Sequence, residues 1–304
     1  GDGNGTAAPD MGCYEIGLPA DTTLVCGFAL EATEFRTNDT IRCTPYALGG
    51  TLESCIWHMT QGAVTTTVES AGSDVCAIRA PGYGEYALFL KASVTGGAVA
   101  TSAVRRIRVL PGTVYVASGG SSEWPYDTPA KATLSLTDAI DAVCCGDTDP
   151  RGIVSVAGET LTTLVPTTYS DLLGDSDYLA VVTRPVRIVG ADPASTILRC
   201  RAVNTSRASG IRLVHAEASI ENLTVQGTSA CGCATATALG GLLTLVSGTA
   251  SNCVFTGNQG GTVKNYRCAV YLLGGRLRDC DIVDNSVGSY NTPGIQASGI
   301  VLAN

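Results

Sequence analysis

The chain has 304 residues, 45% of them apolar and 15% charged, which suits an ordered protein with room for more than one core and excludes a disordered tail. A net charge of −8 argues against nucleic acid and anionic membrane as main partners. With 36 glycines and 6% aromatic residues, the composition favours short strands and tight turns over helical bundles.

In chain order, residues 1–16 read as a glycine-rich tail ending around Asp10, Met11, Gly12, Cys13 and Tyr14. No signal-peptide pattern opens it, so the expectation is a leader already removed or a piece of a longer protein. No apolar run reaches the ~18–20 residues of a membrane span. The nearest, from Ala236 to Ala250, is broken by Gly240, Gly241 and Gly248.

Residues 17–111 alternate like short strands at 23–30, 39–44, 54–59, 63–68, 74–78, 85–94 and 98–110. That density predicts a β-sandwich, with Trp57 mid-strand where its core wants a large ring. Pro111-Gly112 marks a boundary, and residues 112–304 read as a second domain. One amphipathic helix is expected over about residues 130–144, where Leu136, Ala139, Ile140 and Val143 form a single stripe. Strands follow at 153–156, 179–183, 186–189 and 196–199.

The last third repeats itself. Ile220-Glu221-Asn222-Leu223-Thr224-Val225 returns around Asn252 and again around Asp279, in steps of 30 and 27 residues, a period that signals a solenoid. Leu223/Val225, Cys253/Phe255 and Cys280/Ile282 share one face by period-two alternation. The upstream Ile220, Ala250 and Leu277 are out of phase with them by one residue. The slip falls at Asn222, Asn252 and Asp279, residue types that tolerate left-handed backbone and so suit corners. A second strand family recurs at 209–213, 240–245, 268–272 and 298–302. The predicted helix would cover the exposed first edge of such a stack.

Thirteen cysteines are many for this length. No Cys-x-x-Cys occurs, and His58 and His215 have no ligand spacing to any cysteine, so no metal or other cofactor is expected. Disulfides in an oxidising, extracytoplasmic setting are the better account. Cys26, Cys43, Cys55 and Cys76 are the candidates in the first domain, with three connectivities open. Cys253 and Cys280 take the slot of Leu223 and read as small hydrophobes.

Two resemblances sharpen this reading. Gly82-Tyr83-Gly84-Glu85-Tyr86-Ala87-Leu88-Phe89-Leu90 resembles the strand F region of immunoglobulin-like and PKD-type domains, departing from antibody domains because Leu88 stands where the second core cysteine would be. The Asn-Cys-x-Phe/Ile-x-x-Asn pattern of 252–258 and 279–285 resembles the right-handed parallel β-helices of bacterial surface proteins. These include polymorphic outer-membrane proteins and the pectate-lyase-like superfamily. Val114–Gly120 with Leu136–Ala142 is similar to their entry strand and capping helix, and residues 9–15 to the segment with which many of them end.

The resemblance implies an all-β chain: a tail resembling the end of a preceding β-helix at 1–16, an immunoglobulin/PKD-like sandwich at 17–111, and a parallel β-helix at 112–304 with an N-terminal capping helix. That order suggests a segment of a longer array, or subunits that join head to tail with the segment around Asp10–Tyr14 completing a neighbour's last turn.

For chemistry, Asp279, Asp281 and Asp284 fall on one repeat and Asp171, Asp175 and Asp177 on one loop. A lyase would need calcium-binding acids beside a basic residue, and a hydrolase facing carboxylates. Asp279 replaces a corner Asn and Asp284 a turn Gly, so a structural account comes first. Tyr266 and Tyr290 are the loop aromatics that could stack on a sugar. Sequons stand at Asn4, Asn38, Asn204 and Asn222.

The reading is an extracellular or cell-surface structural or adhesive protein, part of a rod, fibre or sheath, and not an enzyme. Its expected partners are copies of itself, adjacent modules and surface glycans. The competing reading is a polysaccharide lyase, glycoside hydrolase or glycan-binding protein on the same scaffold.

Overall fold

The structure, a computed structural model, describes residues 24–145, 152–164, 167–171, 174–200, 208–227, 241–257, 269–285 and 300–302. They fall into two compact units, one ending at Val109 and one beginning at Leu110. Asn4, Asp10, Met11, Gly12, Cys13, Tyr14, Asn204, Tyr266 and Tyr290 lie outside the described residues.

The first unit contains β1 (Val25–Leu30), β2 (Glu34–Arg36), β3 (Ile41–Leu48), β4 (Leu52–Gln61), β5 (Val64–Ala71), β6 (Cys76–Ile78), β7 (Gly84–Val94), β8 (Val99–Thr101) and β9 (Arg105–Leu110). They make two sheets, β1-β3-β6 and β2-β9-β7-β4-β5, with β8 also on β7. Alternation decides which side chains turn inward: Tyr86, Leu88, Leu90, Ala92 and Val94 along β7 are buried, as are Ile41 and Cys43 on β3. Both sheets contribute to one apolar core, where Phe28 meets Trp57 edge-on at 5.2 Å. The fully buried Trp57 donates its Nε1–H to Ser70 Oγ at 3.0 Å, so no polar atom of the ring is stranded.

Local details differ from the sequence reading for physical reasons. The expected strand 98–110 is two strands, because Ser102 turns inward: its N–H donates to the Leu90 carbonyl at 2.8 Å and its Oγ accepts from the Leu90 N–H at 2.9 Å. The expected strand 39–44 runs from Ile41 to Leu48 instead, since Asn38 is left-handed (φ 73°) and Asp39 Oδ2 accepts from the Arg36 N–H. β2 escaped notice because three residues with one apolar side chain, Phe35, carry no periodicity.

The second unit begins with β10 (Thr113–Val116) and α1 (Leu136–Ala142), the latter preceded by a 3-10 turn over Pro129–Lys131. α1 is shorter than the expected helix. Thr133 exchanges backbone hydrogen bonds with Tyr115 and Ala117, so helix starts only at Ser135, whose Oγ caps it by accepting from the Asp138 N–H at 3.1 Å. At the other end Arg184 donates to the carbonyls of Ile140 and Val143. α1 packs against the strands of the first turn and β10.

The chain then coils. The first turn is β11 (Gly152–Val156), β12 (Thr160–Leu161) and a hairpin, β13 (Thr167–Asp171) with β14 (Gly174–Val182). The second is β15 (Val186–Val189), β16 (Ile197–Arg199) and β17 (Ala208–Leu213); the third β18 (Ser219–Glu221), β19 (Thr224–Gln226) and β20 (Leu243–Leu245). The fourth is β21 (Thr249–Ser251), β22 (Val254–Thr256) and β23 (Val270–Leu272); the fifth β24 (Arg276–Arg278), β25 (Asp281–Val283) and β26 (Ile300–Leu302).

Each strand pairs with its counterpart one turn away, giving three sheets: β10-β11-β15-β18-β21-β24, β12-β16-β19-β22-β25 and β13-β14-β17-β20-β23-β26. Apart from the hairpin, the registered pairs in these sheets are parallel. This is a parallel β-coil, and its core is three apolar columns. Val114, Val154, Ile188, Ile220 and Ala250 line the first sheet. Leu161, Leu198, Val225 and Phe255 line the second, and Ala180, Ile211, Leu243 and Val270 the third.

Candidate functional site

The repeat motif builds a corner and a ladder. Between first and second sheets the backbone turns at Asn222, Asn252 and Asp279, with φ of 57°, 49° and 50°. Most L-residues resist this geometry, and Asn and Asp resist it least. The corners are also joined: Asn252 Nδ2 donates to Asn222 Oδ1 at 2.9 Å, while the Asn222 and Asn252 amides donate to the Ser251 and Arg278 carbonyls of the following turn. After the second sheet the chain bends again at Gly257 (φ 69°) and Asp284 (φ 53°). Asp279 and Asp284 are therefore spent on backbone geometry, while Asp281 points outward from β25. Asp171, Asp175 and Asp177 belong to the β13–β14 hairpin and not to a loop, which corrects the sequence reading.

Inside the corner, Leu223 and Cys253 stack in one column and Val225 and Phe255 in the next, all buried. Cys280 and Ile282 continue these columns but are half-buried, because no described strand pairs with the outer edges of β24 and β25. Leu277 is half-buried for the same reason. The Cys253 thiol donates to the Ser251 carbonyl at 3.2 Å and the Cys280 thiol to that of Arg278 at 3.1 Å. A thiol–thiol hydrogen bond from Cys253 draws the Cys280 proton affinity down, to about 7, while Cys253 is held protonated. Thr224, on the alternate phase, is nevertheless buried, its hydroxyl donating to the Pro193 carbonyl at 2.6 Å.

The outward columns carry the remaining polar groups. On the first sheet Arg187 makes a two-pronged ion pair with Glu221 at 2.9 and 2.6 Å, and Ser219 Oγ donates to the same carboxylate. On the second, Arg199 donates to Gln226 at 2.9 Å. On the third, Arg212, Thr244 and Tyr271 align in register; Thr244 and Tyr271 are buried, the Thr244 hydroxyl without a hydrogen-bond partner among the described residues, and Arg212 reaches the Tyr178 ring and hydroxyl. Glu159 accepts from the Ser118 amide and hydroxyl. Asp192 accepts from Ala194 and Ser195, and the Ser195 hydroxyl and amide hold its carboxyl below the usual range. His215 Nδ1 accepts from the Glu217 N–H within a turn.

These cross-turn pairs are what the sequence reading missed. Arg187 and Glu221 lie 34 residues apart, a step different from either repeat period, and only strand register reveals them. Among the described residues no group of three or more His, Cys, Asp or Glu side chains is placed to hold a metal ion.

In the first unit, Cys26, Cys43, Cys55 and Cys76 are buried thiols in the same core. Asn38 stands at the turn before β3.

No family model and no curated protein matches the chain. Among solved structures it is similar to pectate lyase Pel3 from Pectobacterium carotovorum, at 10% identity over 91% of each chain, with a TM-score of 0.23. The parallel coil rests on strand register and takes nothing from that likeness.

Proposed function

We propose that the chain is a segment of an extracellular structural or adhesive protein, in which an immunoglobulin/PKD-like sandwich precedes a right-handed parallel β-helix capped by α1. The observation that carries this reading is the assignment of the coil's polar groups. Corner residues serve the backbone, and Arg187, Arg199 and Arg212 on the outward columns are matched to carboxylate, amide and phenol neighbours, while Arg276 and Arg278 on β24 stand exposed. Such a surface suits a stiff rod. Fold alone says nothing of activity.

The sandwich reading is supported by Tyr86, which donates from its hydroxyl to the Gly82 carbonyl at 2.8 Å and ties down the turn before β7, the tyrosine corner of immunoglobulin-like domains. The adhesive or polymerising role is supported by the outer edge of β24 and β25, which no described strand covers and where half-buried Leu277, Cys280 and Ile282 offer a template for another strand. The segment around residues 10–14 of a second copy is the proposed occupant.

Sedimentation over a concentration series, with electron microscopy of the concentrated sample, tests this. Mass growing with concentration, abolished by deleting residues 1–16, is expected. A strict monomer at the highest concentration would remove polymerisation.

A further inference from the structure

Among the described residues of the first unit, strand register leaves one way to pair the four buried cysteines with one another. Cys43 and Cys76 are direct cross-strand partners on β3 and β6, and both point into the core. Directly opposed residues of antiparallel strands have Cα atoms about 4.5–5.5 Å apart, inside the span of a disulfide. Cys26 lies on β1, in the same sheet, but well along it: Cys43 faces Leu30, four positions from Cys26. That offset is about 13 Å, beyond the ~7 Å limit for a link. Cys26 and Cys76 are farther still, since β3 lies between their strands.

Removing Cys26–Cys43 and Cys26–Cys76 leaves Cys55 as the sole partner for Cys26 among the described cysteines of this unit. Contacts across the core agree. The Cys26 sulfur reaches the backbone of Ala92 on β7, and Ala92 is the register partner of Cys55 on β4. Charge proximity links Cys55 to Cys26 and Cys76 to Cys55 alike, so strand register decides the pairing.

We propose that Cys43–Cys76 and Cys26–Cys55 form two disulfides, the first clamping β3 to β6 within one sheet and the second joining the two sheets. Each link replaces two S–H bonds by one S–S bond. The two electrons and two protons pass to a disulfide oxidant such as glutathione disulfide, which leaves as two thiols. Because the thiolate is the attacking species and burial keeps all four thiols protonated in the folded unit, oxidation belongs to the folding chain.

The pairing rests on geometry; its presence in native material rests on the extracellular location proposed above. Refolding the full chain in a glutathione redox buffer, followed by non-reducing digestion and mass mapping, decides it. Peptides linked 43–76 and 26–55 are expected, with an unfolding midpoint of the first unit that falls by roughly 10 °C or more on reduction. Alkylatable thiols at Cys26, Cys43, Cys55 and Cys76 after refolding, or a 26–43, 26–76, 43–55 or 55–76 link, overturns the proposal. The same map on native material separates the two ideas. Free thiols there, with correct links after glutathione treatment, would keep the pairing and remove the extracellular location.

Discussion

Asn252 has two separable roles, a left-handed backbone and a rung of the amide ladder. Asn252→Ala loses both, and should cost about 2 kcal/mol: roughly 1 for the hydrogen bond and about 1 for alanine at positive φ. Asn252→Gly keeps the backbone freedom and should cost about half as much. Urea melts of the two variants check this; equal losses would mean that the φ angle carries no strain.

Burial, with Cys76 beside it, pushes Cys43 from its ordinary 9.0 to about 12, and burial raises Cys26, Cys55 and Cys76 as well. The unfolded chain therefore gives up thiol protons near pH 9 while the folded chain keeps them, so stability falls as pH rises from 9 toward 12. Thermal melts of reduced protein should show that alkaline decline in the first unit. Oxidised protein, having no such thiols, should show less of it.

Elements stand or fall on how their inward residues stack. Among the described residues, Phe255 is the largest fully buried side chain of the coil, set between Val225 and Ile282 in adjacent turns. Phe255→Ala should destabilise the coil by about 3–5 kcal/mol, seen as a lowered urea midpoint with the first unit's transition unchanged. Ser135→Ala removes the cap of a short helix and should cost about 1 kcal/mol.

The same elements show what a sequence can reveal. The last three turns are visible in it because a one-residue corner shifts the apolar phase by one, a mark that survives side-chain changes. The second turn hides its corner in the longer stretch from Gly190 to Thr196, where a β-carbon on Gly190 would stand 2.3 Å from the Asn222 carbonyl oxygen. Its spacing breaks the repeat, so the turn is seen only once the strands are stacked. Polar pairs such as Arg187–Glu221 are equally hidden, because neighbours across turns are set by loop lengths.

For the molecule as a whole, polysaccharide cleavage is the sharpest alternative to a mechanical role. Incubation with neutral and acidic polysaccharides, with and without calcium, should release no new chain ends; release abolished by Arg212→Ala or Arg187→Ala would favour the enzymatic reading instead.

Strand direction carries one more implication. Every described turn climbs the same way, from the side where α1 packs to the side where no described strand pairs with β24 and β25. The two ends are different surfaces, so copies joined through them must all point alike. A filament built this way would have distinguishable tips, and a seed decorated at one tip would lengthen at the other.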